Sequence, residues 1–351
     1  MLNNYSGSPH ILALIIKGLV EKGYIIDLYT SGHKGFLSGI ENVNKHTIYY
    51  NFWDKLKILT FAVFLFAQVR YFLKVLKYIG KKDTIFYINT ILPFGATLGA
   101  ILIKKNVIYH VHENPVKKNP VNNISLKVFN KYANKTIFVS EYLLNSFNIK
   151  ESKKILVYNA ISPKFVEQAQ HHILQMNEPY NILMVCSLRV YKGVLIFTEL
   201  ADRLPGYNFS MVLNSNDIEI KKFFKNITMP KNLSIYPTQT NLHPFYSKAN
   251  LVLNLSIPDL WVETFGLTAL EAMVYGIPVI VPPIGGISEI IEDGKQGYKV
   301  DSRNIEELIN KIQLVFDSKK AYYKMSFESK LKANCFSYSN MIEAIDNVIS
   351  E

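Results

Sequence analysis

"ETFGLTALEAMVYGIPVIV", residues Glu263 to Val281, sets two carboxylates eight positions apart (271 − 263) around a Phe-Gly pair and runs into an apolar strand. Upstream, the run Leu251 to Leu255 reads as a buried strand, so the loop between carries Asp259 and Glu263 and a helix begins near Phe265 or Gly266. The first turn of a helix points unbonded main-chain N–H groups outward, which makes an anion site. Gly266 allows close backbone approach, and the small Thr268 keeps the entrance open for a phosphate. From Gly266 to Glu271 the helix rises roughly 7.5 Å, about the reach from a diphosphate to a ribose. Glu271 can thus accept hydrogen bonds from ribose hydroxyls while Glu263 faces whatever hangs from the distal phosphate. Either carboxylate alone could be a simple helix-start charge. The pair, with Gly276-Ile277-Pro278 leading into the next strand, reads as a nucleotide site.

Outward from this stretch, short runs rich in Val, Ile, Tyr and Phe alternate with helix-length segments. In the first half they are Tyr24 to Tyr29, Thr84 to Asn89, Val107 to Val111, Thr136 to Ser140 and Ile155 to Asn159. After the polar stretch Glu167 to Pro179 the pattern restarts with Ile182 to Cys186, Phe209 to Leu213, Leu233 to Tyr236, Leu251 to Leu255 and Val279 to Val281. Strands this apolar, separated by helices, imply α/β architecture with parallel sheets covered on both faces, in two doubly wound halves with a cleft between them. The chain's 351 residues also exceed what one core usually holds. The expected division is residues 1–165, residues 166–335, and a C-terminal helix over 336–351 that packs back on the first domain.

The N-terminal stretch "NYSGSPHILALIIKGLVEKGYIIDLYT" reads as loop, then helix from Pro9 capped by Ser8, then Gly23 as stop, then strand. A doubly wound half normally opens with a strand before that loop, and here only Met1 to Asn4 precede it, so the first, central strand is expected to be missing. No signal peptide is read there, and Cys186 and Cys335 have no metal-type spacing, which suits a reducing, cytoplasmic setting. The formal charge of +11 suits an anionic partner: nucleic acid, an acidic membrane leaflet or a phosphorylated substrate. No zinc-finger spacing or ribonucleoprotein motif accompanies it, so nucleic acid is not expected. In residues 55–82 the most apolar section, Ile58 to Ala67, is shorter than the ~20 residues a bilayer span needs. Further on, Val69, Phe72, Leu73 and Leu76 share one helical face, and Arg70, Lys74 and Lys77 another. This segment reads first as a crossover helix packed on the sheet, and second as a surface resting on anionic lipid; the two are compatible.

The block Glu263, Glu271, Ala272, Met273, Gly276, Pro278 and Val279, trailed by Glu289, Gly294 and Gly297, resembles the Glu-x7-Glu signature of glycosyltransferase family 4, retaining enzymes of the GT-B fold. The likeness extends through "SLRVYKGV", where Arg189 and Lys192 match the family's basic diphosphate clamp, although at tighter spacing than usual. "IYHVHENP" places His112 at the family's first-domain histidine, near the donor sugar or acceptor, with Glu113 beside it and His110 as the alternative buried ring. "SGSP" matches the small-residue loop over the donor phosphates, reduced to Gly7. The resemblance implies catalytic roles for Glu263 and His112, and donor binding by Gly7, Arg189, Lys192, Phe265, Gly266, Leu267, Thr268 and Glu271. It implies two Rossmann-like domains and transfer of a hexose from a nucleoside-diphosphate sugar, with UDP as the commoner carrier, to a glycan or lipid-linked acceptor of a surface polysaccharide. No metal or other cofactor is implied, and the sequence has no Asp-x-Asp pair of the kind that holds one. A binding or partner subunit that keeps the fold without turnover is the alternative, motivated by the absent strand; a GT-B epimerase or phosphorylase ranks after it.

Overall fold

The computed structural model describes residues 3–49, 56–114, 120–176 and 178–351. Met1, Leu2, Lys55 and Pro115, which figure in the sequence expectations, lie outside the described residues. The chain forms two units, Met1–Tyr158 with Ser339–Glu351, and Asn159–Tyr338.

The first unit holds two parallel sheets. One pairs β1 (Asp27–Thr30) with β2 (Asn44–Thr47); the other runs β3 (Phe86–Asn89), β4 (Val107–Val111), β5 (Lys135–Phe138) and β6 (Lys154–Leu156) in that order. β4 is wholly buried, as an apolar central strand must be. Among the described residues no strand joins the two sheets, where a doubly wound order would set a central one. β2 is the polar run NKHT, mostly exposed, and carries no apolar signature to announce it. Helix α1 (Gly7–Glu21) begins two residues before the expected start: Ser6 is the cap position, and Ser8 Oγ instead accepts from Asn89 Nδ2 at 2.9 Å. The C-terminal segment Ser339–Glu351 is fastened to this unit by Asp346, which accepts from Lys22 Nζ and Tyr24 Oη, both at 2.7 Å.

Helix α2 (Lys57–Val75) is longer than its most apolar section suggested, because Arg70 and Lys74 interrupt the apolar sequence singly. Ile58–Tyr78 is long and apolar enough to cross a membrane by length and composition. The buried face is Phe64, Ala67, Gln68, Tyr71 and Val75; Val69 and Leu73, grouped in the sequence with Phe72 as one apolar face, point outward. Helix α3 (Phe94–Leu102) packs beside α2 so closely that a Cβ on Gly95 would lie 2.0 Å from the Gln68 carbonyl oxygen.

The second unit is one six-stranded parallel sheet built from β7 (Asn181–Ser187), β8 (Asn208–Asn214), β9 (Leu233–Tyr236), β10 (Leu251–Leu253), β11 (Val279–Val281) and β12 (Gly297–Lys299). The spatial order is β12-β11-β10-β7-β8-β9, the doubly wound order in which connections run one way from β7 and the other way from β10. Loops leaving β7 and β10 therefore diverge to opposite faces and leave a crevice at the strands' carboxyl ends, which is where such sheets place ligands. The core lies on both faces: Ile182, Met184, Leu251, Leu253 and Ile280 fill one, and Leu183, Val252, Val279 and Val281 the other, all at most 1% exposed.

Candidate functional site

The switch point between β7 and β10 brings together two of the side chains singled out in the sequence. Lys192, in the loop after β7, donates to Glu263, in the loop after β10, as a buried ion pair with 14% and 16% of the side chains exposed. Ser256 Oγ donates to the same Glu263 oxygen at 2.7 Å, and Asn254 Nδ2 lies 3.5 Å from it. Burial raises the Glu263 carboxyl, but the Lys192 charge and the hydrogen bonds from Lys192, Ser256 and Asn254 outweigh it and hold the group below the usual range. Lys192 Nζ also stands 5.1 Å from the centre of the Trp261 ring, which stacks on Tyr191 at 5.2 Å. Arg189 is exposed and stands outside this network.

Two helix starts follow the pair in sequence. Gly193, with φ +78°, opens the helix Val194–Arg203, and Gly266, with φ +100°, opens the helix Leu267–Val274; neither cap position supplies a side-chain acceptor. The left-handed backbone at Gly266 favours glycine, and a Cβ there would come within 2.4 Å of Ile287. Ala269 and Leu270 already donate to the Gly266 carbonyl oxygen, at 3.1 and 3.2 Å, so within that first turn the N–H groups of Leu267 and Thr268 are left to meet an anion, with Phe265 buried beneath and Leu267 and Thr268 half-buried.

Glu271 lies one turn further, 7% exposed, and accepts from Tyr246 Oη at 2.7 Å through Oε2. Burial pushes its carboxyl up to about 7, with the Tyr246 hydrogen bond opposing the rise. Asp259, the other acid of the β10 loop, pairs with Arg303 on the surface instead.

His112 and Gly7 belong to the first unit; the other eight site residues named from the sequence belong to the second. His110 is the fully buried ring, its Nδ1 2.6 Å from Tyr87 Oη, and burial drives it well below its ordinary range. His112, just past the end of β4, is 2.9 Å from Asn89 Oδ1, and Asn89 in turn donates to Ser8 beside Gly7. Burial pushes His112 down to about 3, so the ring is neutral at physiological pH. Glu113 accepts from Thr90 Oγ1 and from the Ile91 N–H at 3.1 Å. Thr90 is a β-branched residue held at φ +98°, a strained conformation of the kind found at ligand sites. Burial raises the Glu113 carboxyl against these hydrogen bonds. Among the described residues, no group of three or more His, Cys, Asp or Glu is placed to hold a metal ion.

Sequence reasoning missed Tyr246, Ser256, Asn254, Trp261 and Asn89. The end of β3 pointed to Asn89, because ligands gather at carboxyl ends. Tyr246 lies 25 residues from Glu271 and had no local signal.

Comparison with known proteins gives this geometry its class. Residues 166–332 match the family profile described as Glycosyl transferases group 1. An uncharacterized glycosyltransferase of Haemophilus influenzae is 26% identical over 172 residues, 47% of this chain and 48% of the relative. Among solved structures, Anabaena Alr3699/HepE in complex with UDP and glucose has a TM-score of 0.78 at 16% identity, over 100% of this chain and 98% of that one. The apo form of the lipopolysaccharide outer core galactosyltransferase WaaB has a TM-score of 0.73 at 15% identity, over 99% and 98%. Against three curated relatives the chain spans 48%, 64% and 54% of their length. The fold is the α/β GT-B fold, and residues 166–332 of the chain are similar to the glycosyl transferases group 1.

Proposed function

We propose that the protein is a retaining, metal-independent glycosyltransferase of family 4 that moves a hexose from a nucleoside-diphosphate sugar, UDP before GDP, to a glycan or lipid-linked acceptor hydroxyl. The observation that carries this reading is the Lys192–Glu263 pair at the β7/β10 switch point, beside the open helix start at Gly266. An arriving diphosphate takes over Lys192 as its counter-ion and accepts the free N–H groups of Gly266, Leu267 and Thr268. Glu263, relieved of Lys192, turns to the sugar hydroxyls and orients the ring, and Glu271 holds the ribose. The acceptor oxygen bonds to the anomeric carbon on the face from which the diphosphate departs. As that carbon–oxygen bond breaks, the leaving phosphate takes the acceptor's proton, and Lys192, Arg189 and the helix start neutralise its growing charge. Neutral His112 contributes a hydrogen bond, not a proton or a charge.

The UDP and glucose bound to the Anabaena protein support the donor class, and the lipopolysaccharide outer core galactosyltransferase supports a glycan acceptor. The break between the β1–β2 and β3–β6 sheets favours a second reading, a partner subunit that binds without turnover. A panel of nucleotide sugars scored by thermal shift, then by product formation with and without chelator, separates them. One donor should stabilise the fold and be consumed equally under both conditions, with the anomeric configuration kept in the product. Stabilisation without consumption selects the partner subunit, and no stabilisation by any nucleotide overturns both.

A further inference from the structure

The outer face of α2 has the wrong chemistry for water. Ile58, Phe66, Val69 and Leu73 are 87%, 63%, 53% and 58% exposed, and exposed Ala62 continues the same stripe at helical spacing. The stripe is roughly 22 Å long. The inner face is already committed: Phe64, Ala67, Tyr71 and Val75 are buried in the first unit, and Gln68 Oε1 accepts from the Gly95 N–H at 3.0 Å. A helix packed on a sheet normally presents polar residues outward, so one that is apolar on both faces has a second partner.

The charge around the stripe says which. No acidic residue occurs from Lys57 to Lys82, whereas Arg70, Lys74, Lys81 and Lys82 do. Lys105 joins them from the end of α3, its Nζ donating to the Lys82 carbonyl oxygen at 2.8 Å. Ile79 and Leu102, 67% and 63% exposed, lie on these two basic segments. Apolar side chains rimmed by cations match a leaflet of anionic lipid, with the hydrocarbon boundary beneath and phosphate groups at the edge.

We infer that α2 is an interfacial membrane anchor: it lies in the plane of an anionic bilayer with Phe66, Val69 and Leu73 in the acyl boundary and the Lys74–Lys82–Lys105 end among the head groups. Its inner face stays on the protein core, so the helix rests on the bilayer and does not cross it. The inference is independent of the transfer chemistry, and its test needs no nucleotide.

The full chain is floated with phosphatidylcholine vesicles, with and without phosphatidylglycerol, at low and high salt. Partitioning should rise at least about tenfold with the anionic lipid and fall in high salt, since each basic residue near the surface contributes about a fivefold factor. Phe66→Glu with Leu73→Glu should abolish binding while the thermal melting of the protein is unchanged, both side chains being outside the core. Lys74→Gln with Lys82→Gln should cut binding about tenfold or more to anionic vesicles alone. Equal binding of the Glu variants, or no binding by the wild type, overturns the inference. So does retention through high salt and alkaline washing, which marks a spanning helix. So, finally, does a wild-type dimer that ignores vesicles and becomes a monomer in the Glu variants, which marks an interface between copies.

Discussion

Tyr246 donates its phenolic hydrogen to Glu271 Oε2 at 2.7 Å and stands 3.2 Å from the Thr268 carbonyl oxygen, so a fully buried phenol ties the carboxylate to the first turn of its own helix. The side chain assigned to the ribose is therefore not free to swing; its orientation is set from the short helix His243–Tyr246 that follows β9. Tyr246→Phe keeps the ring and removes the tie. The expected result is about a five- to tenfold loss of UDP affinity near pH 7, what an ordinary hydrogen bond supplies. The affinity of 2′,3′-dideoxy-UDP should not change, because it offers Glu271 no hydroxyls. Calorimetry on both nucleotides distinguishes this from a general loosening, which would weaken the two alike.

Glu271 also makes stability depend on pH. Its carboxyl stands at about 7 in the folded protein against 4.5 ordinarily, so the folded state holds its proton more tightly than the unfolded chain. A raised acid contributes stability below about pH 4.5 that is lost as pH rises to about 7, a decline on the order of 3 kcal/mol. Urea unfolding of Glu271→Gln should lack this decline and exceed the wild type at pH 8 while matching it near pH 4. Nucleotide affinity runs the other way, rising through pH 7 as the carboxylate forms.

Lys192 and Glu263 hold one another in the free protein but have different jobs in the transfer step. Lys192→Ala should weaken UDP about 10- to 100-fold, the loss of one charge-assisted contact with phosphate. Glu263→Gln should leave UDP affinity within a few-fold and lower kcat about 100-fold or more. Loss of nucleotide binding in the Glu263 variant with normal kcat in the Lys192 variant would reverse the assignment.

Asn89 reaches His112 with one amide atom and Ser8 with the other, joining the ends of β3 and β4 to the start of α1. Asn89→Ala should lower kcat about tenfold with little change in the donor KM, because the ring is released while the second unit's nucleotide site is intact. Asn89→Asp should bring a new ionisation into the pH profile of kcat, since a carboxylate beside His112 raises its pKa from about 3.

Legibility followed the physics of burial. The apolar runs at Val107–Val111 and Val279–Val281 are strands of the same bounds in the structure, because a strand covered on both faces must be apolar throughout; Leu233–Tyr236 keeps its bounds too, as a half-exposed edge strand. β2 escaped notice, since an edge strand of Asn, Lys, His and Thr looks like a loop. Glu263, Gly266 and Glu271 could be read because they lie on one continuous stretch around a helix start. Tyr246 could not, as its meaning comes from a contact across 25 residues, and Asn89 showed only its place at a strand's carboxyl end, its partner lying 23 residues away. The direction of α2 was misjudged for a related reason: both its faces are apolar, so periodicity alone does not say which one meets the core.

The central claim is that a pyrophosphate is gripped at the β7/β10 switch point by Lys192 and the helix start at Gly266. Calorimetric affinities of UDP against UMP, and GDP against GMP, test it most directly in the wild type and in Lys192→Ala. The account predicts that the diphosphate of the better-bound base binds at least about tenfold more tightly than its monophosphate, and that Lys192→Ala removes most of that difference. Equal affinities in the wild type, or a difference that survives the substitution, would contradict it.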